Sequence, residues 1–217
     1  MFSEALEIRP GVTAVIGGGG KTSLLRVLGE ELSQQASVLL CTTTKIRPFS
    51  GIPTVHTAQE LDLFEGSLLC MGTPLEGGKL TAPCIPMKEL ASRFDYVLVE
   101  ADGSAGRPMK AHASHEPVIP PESRSVILVV GASGFGRPVL EAAHRPERYA
   151  ALAGVGEEER VTPAAAAQVI LREALHERIF VNQAETALDA AKRFAAMVDC
   201  PVLLGSIEKG EIYPCLF

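Results

Sequence analysis

Short runs of β-branched residues and leucine alternate along this chain with longer stretches in which apolar positions recur every three or four residues. The first pattern fits strands buried on both faces, and the second fits helices with one apolar side. Residues 12–16 predict a first strand, and Leu24, Leu25, Val27, Leu28 and Leu32 predict a helix over 21–34. Further strands are expected over 38–41, 67–71, 96–99, 126–130, 179–181 and 202–204. Helices are expected over 58–64, 86–94, 146–153, 163–175 and 187–197, the third and fourth of these with proline in or near the first turn. This rhythm predicts an α/β fold, a mostly parallel sheet flanked by helices.

Glycine and proline punctuate the pattern. Gly77-Gly78 suits a tight turn, so residues 72–84 are expected to form a small β-hairpin insertion. Residues 107–121 are rich in Pro, His, Lys and Glu, and read as a polar loop outside the core. No repeat or flexible linker interrupts the chain, and one domain over 1–217 is expected.

Composition narrows the function classes. A net charge of −6 argues against a nucleic-acid or anionic-membrane surface, which needs clustered Lys and Arg. No stretch approaches the ~18 apolar residues of a membrane span, and residues 1–10 carry no apolar leader, so a cytoplasmic protein with a small ligand or a protein partner is expected. Cys41, Cys70, Cys84, Cys200 and Cys215 contain no C-x-x-C pair and are odd in number, which predicts reduced thiols.

The candidate chemistry begins at Gly17-Gly18-Gly19-Gly20-Lys21-Thr22-Ser23, between the first strand and the first long helix. A phosphate cradle needs glycine-permitted backbone, a helix N-terminus and a lysine, and this segment carries all three. It is the short string G-x-x-G-K-T rather than the longer G-x-x-x-x-G-K-[ST], because Val15 stands five positions before Gly20. The fold is therefore expected to be P-loop NTPase-like, with Lys21 on the phosphates of an NTP (ATP or GTP) and Thr22 on Mg²⁺. A carboxylate should complete the metal site, and the apolar strand 96–99 runs into Glu100-Ala101-Asp102. Glu100 and Asp102 are candidates for metal binding or for orienting a nucleophile, on the same side if the strand continues. Arg107 and Lys110, in the polar segment that follows, are candidates for reaching across the transferred phosphate to a second substrate. His112, His115 and Glu116 have poor metal-ligand spacing.

Taken together, three stretches carry a family resemblance: Gly17 to Thr22; Cys41-Thr42-Thr43-Thr44-Lys45-Ile46; and Val99-Glu100-Ala101-Asp102-Gly103-Ser104. With Lys110 and the run His115-Glu116-Pro117-Val118-Ile119-Pro120, the chain resembles the YqeC family of accessory proteins for selenium-dependent molybdenum hydroxylases. His144-Arg145-Pro146-Glu147 and Val181-Asn182-Gln183-Ala184-Glu185 are also similar to that family. The resemblance implies a nucleotide-binding protein that helps to mature a molybdenum enzyme, with Thr44, Lys45 and Asn182 near the nucleotide. The glycine loop is similar as well to that of Mur and folylpolyglutamate ligases. Asn182 to Glu185 is similar to the Asn-Lys-x-Asp of GTPases, with Gln183 and Glu185 in place of its Lys and Asp.

Three readings stand at this point: an NTP-dependent hydrolase or transferase, a nucleotide-gated binding module with little turnover, and an ATP-dependent ligase. Their expected cofactors are the nucleotide and Mg²⁺, and the expected partner is a molybdenum hydroxylase or its cofactor.

Overall fold

A computed structural model describes residues 1–214, so the expectation for Cys215 lies outside the described residues. In chain order the first elements are α1 (Phe2–Ala5), β1 (Gly11–Gly17), α2 (Lys21–Leu32), β2 (Val38–Thr42), β3 (Thr54–Val55), α3 (Ala58–Asp62) and β4 (Leu68–Met71). Next come β5 (Thr73–Leu75), β6 (Lys79–Thr81), α4 (Met87–Arg93), β7 (Tyr96–Glu100), β8 (Met109–Lys110) and β9 (Ser123–Gly131). The remainder is α5 (Val139–Ala142), β10 (Ala143–His144), α6 (Pro146–Ala153), α7 (Pro163–Glu173), β11 (Arg178–Asn182), α8 (Leu188–Ala195), β12 (Val202–Ser206) and β13 (Glu211–Tyr213). The fold is α/β, with mostly parallel strands and helices between them. Each strand and helix expected from the apolar pattern is present, with ends moved by up to a few residues. The short elements α1, β3, β8, α5, β10 and β13 carry too few residues to show a period.

The chain divides into two compact units. The first comprises residues 1–16, 22–103 and 117–126. Outside the hairpin of β5 and β6, its paired strands lie in the order β1, β7, β2, β4, β3, and these five are parallel. Val38 to Cys41, Leu69, Met71 and Val97 to Val99 are nearly or fully buried, as expected of central strands covered on both faces. Leu24, Leu25 and Leu28 give α2 its fully buried side. The backbone N–H groups of Phe2 and Ser3 donate to the Glu31 carboxylate at 3.0 and 2.7 Å, which fixes α1 to the end of α2. The hairpin is β5 paired antiparallel with β6, turned by Glu76–Gly78 with positive φ at both glycines. The segment after β2 is held to it by mutual hydrogen bonds between Ile46 and Leu80.

The second unit comprises residues 17–21, 104–116 and 127–217. Here β9 and β12 flank β11 in parallel, and β13 closes the edge antiparallel to β12. Phe180, Val169, Tyr149 and Phe194 are its large buried side chains, with the Phe135 and Phe194 rings 6.0 Å apart. Thr162 caps α7 by accepting from the Ala165 N–H, one residue before the proline at the first helical position. Among the described residues no helix is long and apolar enough to cross a membrane.

The cysteines show how burial sets reactivity. Cys41 is fully enclosed in β2, and burial, reinforced by the neighbouring Cys70, pushes its thiol far above the ordinary range. Burial likewise raises Cys70 to about 11, whereas Cys84 is exposed. Since the thiolate is the nucleophile, an aromatic disulfide reagent at pH 8 should label Cys84 in the folded protein, and label Cys41 and Cys70 only after denaturant is added. Peptide mass spectrometry at successive times reads the order, and labelling of Cys41 at the rate of Cys84 would contradict the packing of β2.

Candidate functional site

The loop after β1 is forced to be glycine by both dihedral angles and packing. Gly17, Gly19 and Gly20 have φ of +98°, +81° and +119°, where a side chain is strained. At Gly18 the limit is space, because a Cβ there would lie 2.6 Å from the Arg107 carbonyl oxygen. At Gly20 it would lie 2.5 Å from Asn182 Nδ2. The Gly18 N–H donates to Val129 O (2.9 Å), and the Gly19 N–H donates to Arg107 O (3.1 Å). These two amides thus hold the loop to its own unit, which narrows the expectation that the whole glycine run offers N–H groups to a ligand. The donors that remain in keeping with a cradle are those of the first turn of α2, which have no intrahelical acceptor. Thr22 and Ser23 in that turn are exposed. Lys21 is 3% exposed, and its Nζ donates back to Gly17 O at 2.7 Å, so the cation lies against the loop's first carbonyl.

Asn182, at the end of β11, braces this loop. Its Nδ2 donates to Gly19 O (2.8 Å), while its Oδ1 accepts from the Ile207 N–H (3.1 Å). Gln183 adopts a left-handed conformation, and its Oε1 accepts from Ser133 Oγ at 2.6 Å. Sequence reasoning placed Asn182 beside a nucleotide, and the structure places its amide on the loop. No local pattern signals this contact, because the partners are 163 residues apart.

The acids belong to the first unit. The strand order there puts β7 between β1 and β2, so Glu100 stands in register with Val15 on one side and Thr42 on the other. Ligands bind outside the carboxyl ends of such strands. Thr22 Oγ1 donates to Glu100 Oε2 at 2.7 Å across 78 residues of sequence. Thr42 Oγ1 donates to Glu100 O (2.8 Å) and accepts from the Thr44 N–H (2.9 Å), which ties β2 and its following turn to the same strand end. Strand β7 stops at Glu100, so the extension of the strand to Asp102 does not occur. Asp102 is fully buried one residue beyond the strand's neighbour Ala101. Lys45 is exposed on the turn after Thr44. Among the described residues no three His, Cys, Asp or Glu side chains form a metal cluster. Thr22 and Glu100 supply two hard oxygen atoms in contact, which suits Mg²⁺, an ion usually held by one or two protein ligands together with phosphate oxygens and water.

The middle of the polar segment 107–116 lies in the core, unlike the loop that its composition predicts, while Arg107, Ser114 and His115 are exposed. Met109, Lys110, Ala111 and His112 are all buried, with β8 paired in parallel to β10. Burial is possible because the charges are matched within the unit. Lys110 Nζ lies 3.1 Å from Glu116 Oε2, and Arg145 reaches Glu116 Oε1 through Nε (2.9 Å) and Nη2 (2.8 Å). The Glu173 carboxylate accepts from the His112 backbone N–H at 2.6 Å and meets His112 Nδ1 at 2.7 Å. Arg107 donates to the Glu141 carbonyl oxygen. Lys110 is therefore engaged by Glu116, and His112 and Glu116 turn to different partners.

The glycine loop, the Thr22–Glu100 pair and the matched cluster around Glu116 mostly fall within residues 13–147, which match the family described as YqeC protein. The chain belongs to the YqeC family. It is 37% identical over 159 residues to "Uncharacterized protein YqeC" of Escherichia coli (strain K12), a match covering 68% of this chain and 62% of that relative's length. Among solved structures it is similar to a chain of the MinC:MinD cell division protein complex of Aquifex aeolicus. That similarity has a TM-score of 0.46 and 13% identity over 90% of this chain and 81% of the other.

Burial pushes the Glu116 carboxyl up, but the hydrogen bond and charge of Lys110, with Arg145, outweigh it and leave the group below the ordinary value of 4.5. A carboxyl depressed by folding adds stability above its unfolded value, and that stability is lost as pH falls through the lower folded value. Replacing Glu116 by Gln should destabilise the protein at pH 7, and the gap to wild type should narrow as pH drops below about 4.5. Urea unfolding across pH 3 to 7 measures this, and a gap that stays constant would remove Glu116 as the group that balances Lys110 and Arg145.

Proposed function

We propose that this protein binds a nucleoside triphosphate with Mg²⁺ at the glycine loop and the end of β7, and that it transfers or hydrolyses the terminal phosphoryl group. The observation that carries this reading is the Thr22 Oγ1 to Glu100 Oε2 contact at the start of α2. A hydroxyl one residue after the loop lysine, touching a carboxylate at the end of a parallel strand, is the arrangement phosphoryl transfer requires for holding an ion next to phosphate. The N-terminal end of α2 and Lys21 would meet the negative charge of the phosphates. A bound Mg²⁺ would neutralise charge that builds on the phosphate oxygens. Glu100 and Asp102 would divide the remaining work, one holding the ion and the other orienting the nucleophile. Both carboxylates are nearly water-free, at 6% and 0% exposure, and this strengthens any charge interaction they make.

Base selectivity is expected to be low. Asn182 has both ends of its amide committed to Gly19 and Ile207, and Gln183 is engaged by Ser133. Both residues stand where a guanine reader would be sought. We place the process in the maturation of a selenium-dependent molybdenum hydroxylase, in the cytoplasm, on the strength of family membership.

Four variants test the scheme. Lys21→Ala should fold normally yet lose about 10- to 100-fold in Mg-nucleotide affinity, the usual size of a charge-assisted contact. Glu100→Gln should weaken the Mg²⁺ dependence of binding, Thr22→Val should do the same, and Asp102→Asn should spare binding while lowering single-turnover rate. Calorimetry with ATP and GTP, with and without Mg²⁺, and quenched-flow measurement of phosphate release read these outcomes. Unchanged affinity in Lys21→Ala would reject the loop as a phosphate site, and a hundredfold preference for GTP would reject the low base selectivity.

A further inference from the structure

The chain carries a net charge of −6, yet two segments of the first unit run against it. Residues 43–53, which leave the end of β2, and residues 72–84, which form the hairpin, hold Lys45, Arg47 and Lys79 against the single acid Glu76. Ile46 joins the two segments. Its N–H donates to Leu80 O at 3.0 Å and its carbonyl accepts from the Leu80 N–H at 2.8 Å, an antiparallel bridge on the edge of β6 opposite β5. Ile46 and Leu80 are 5% and 2% exposed, whereas Lys45, Arg47 and Lys79 are all exposed. That alternation is the two-residue period of a strand, so the three cations share the outer face of a ribbon.

Two features of this ribbon are unsatisfied within the unit. The antiparallel register brings Arg47 next to Lys79, and like charges across a strand pair destabilise it. Among the described residues none of the three cations forms an ion pair, although Arg93 of the same unit meets both Asp62 (2.7 Å) and Glu89 (2.6 Å). The outer edge is open as well. Both backbone groups of Ile46 point to Leu80, so those of Lys45 and Arg47 point the other way, and among the described residues they make no hydrogen bond. Arg47 precedes Pro48, which favours extended backbone at this position.

We infer that residues 45–47 are a docking edge for an extended acidic segment of a partner protein, which adds antiparallel as a further strand with its carboxylates over Lys45, Arg47 and Lys79. Backbone bonds give strand addition its affinity, and side chains give it selectivity. In an antiparallel pair the residues opposite Lys45 and Arg47 exchange both backbone bonds with them and project side chains to the same face. Acids are therefore needed at alternate positions, those whose N–H meets the edge. Carboxylates there relieve the conflict between Arg47 and Lys79, and lysine on an open edge deters strands that carry no negative charge. The edge begins three residues after Thr42, which is in register with Glu100, so the partner is held near the strand ends that carry the acids.

The experiment uses the full chain without nucleotide and end-blocked peptides of about six residues, one alternating glutamate with valine and one alternating lysine with valine. Two more peptides keep the glutamate sequence and carry N-methyl groups at every glutamate nitrogen or at every valine nitrogen. Amide shifts in two-dimensional NMR read binding. The expected result is saturable shifts at Lys45, Arg47 and Lys79 with the glutamate peptide and none with the lysine peptide. Methylation at glutamate should weaken binding about tenfold or more, the size of one lost hydrogen bond, while methylation at valine should not. The double variant Arg47→Glu with Lys79→Glu changes exposed side chains only, and it should release the glutamate peptide and bind the lysine peptide. No saturable binding of the glutamate peptide, equal binding of the two methylated peptides, or unchanged binding in the double variant would overturn the docking edge. Calorimetry with Mg-ATP on the double variant should match wild type, so failure here is separable from failure of the nucleotide reading.

Discussion

Everything placed around the glycine loop depends on backbone packed directly against backbone. The Gly18 and Gly19 amides reach the carbonyls of Val129 and Arg107, and Gly131 donates to Pro108 O at 2.8 Å. There is no room in this layer for a Cβ at Gly18 or Gly20. The loop is therefore held first by backbone contacts, which the side chains of Asn182 and Lys21 supplement at Gly19 O and Gly17 O. The cost is the conformational entropy of four successive glycines, which the fixed hydrogen bonds and the Asn182 amide offset. A loop fixed before a ligand arrives loses little freedom on binding, and pre-organisation of that kind favours affinity for a highly charged group.

The same economy of exposed charge appears in the buried cluster of the second unit. Lys110, Glu116 and Arg145 form one matched set, and His112 with Glu173 forms another. Ion pairs of this depth contribute little net stability over a well-packed apolar alternative, but loss of one partner leaves a buried charge unanswered. Such a cluster specifies one arrangement of the segment 107–116. Arg145 sits at a left-handed backbone position, a strained conformation held by its two bonds to Glu116. Lys110, Glu116 and Arg145 occur in the stretches that carry the family resemblance. Their contacts give that pattern a structural content as well as a chemical one.

What the chain alone disclosed, and what it withheld, follows from the range of each interaction. The alternation of strands and helices was legible because burial on one or both faces imposes a short period on neighbouring residues, as in Leu24, Leu25 and Leu28 of α2. The glycine loop was legible because its requirements fall on consecutive residues, and Glu100 because an apolar strand ending in acid is a local signal. The core position of residues 108–112, within a stretch whose composition reads as a polar loop, was not legible. Their burial depends on Glu173 and Arg145, 61 residues beyond His112 and 29 beyond Glu116, and no window of sequence reports a partner at that distance. Asn182 as a brace, the end of β7 before Asp102, and the pairing of Ile46 with Leu80 were likewise decided only in three dimensions. In each case the order of strands brought together residues that the chain keeps far apart, because parallel strands must be joined by long crossovers. Sequence thus determined which elements form and where phosphate chemistry is offered, while tertiary packing decided which polar groups are already engaged and which stay open at an edge.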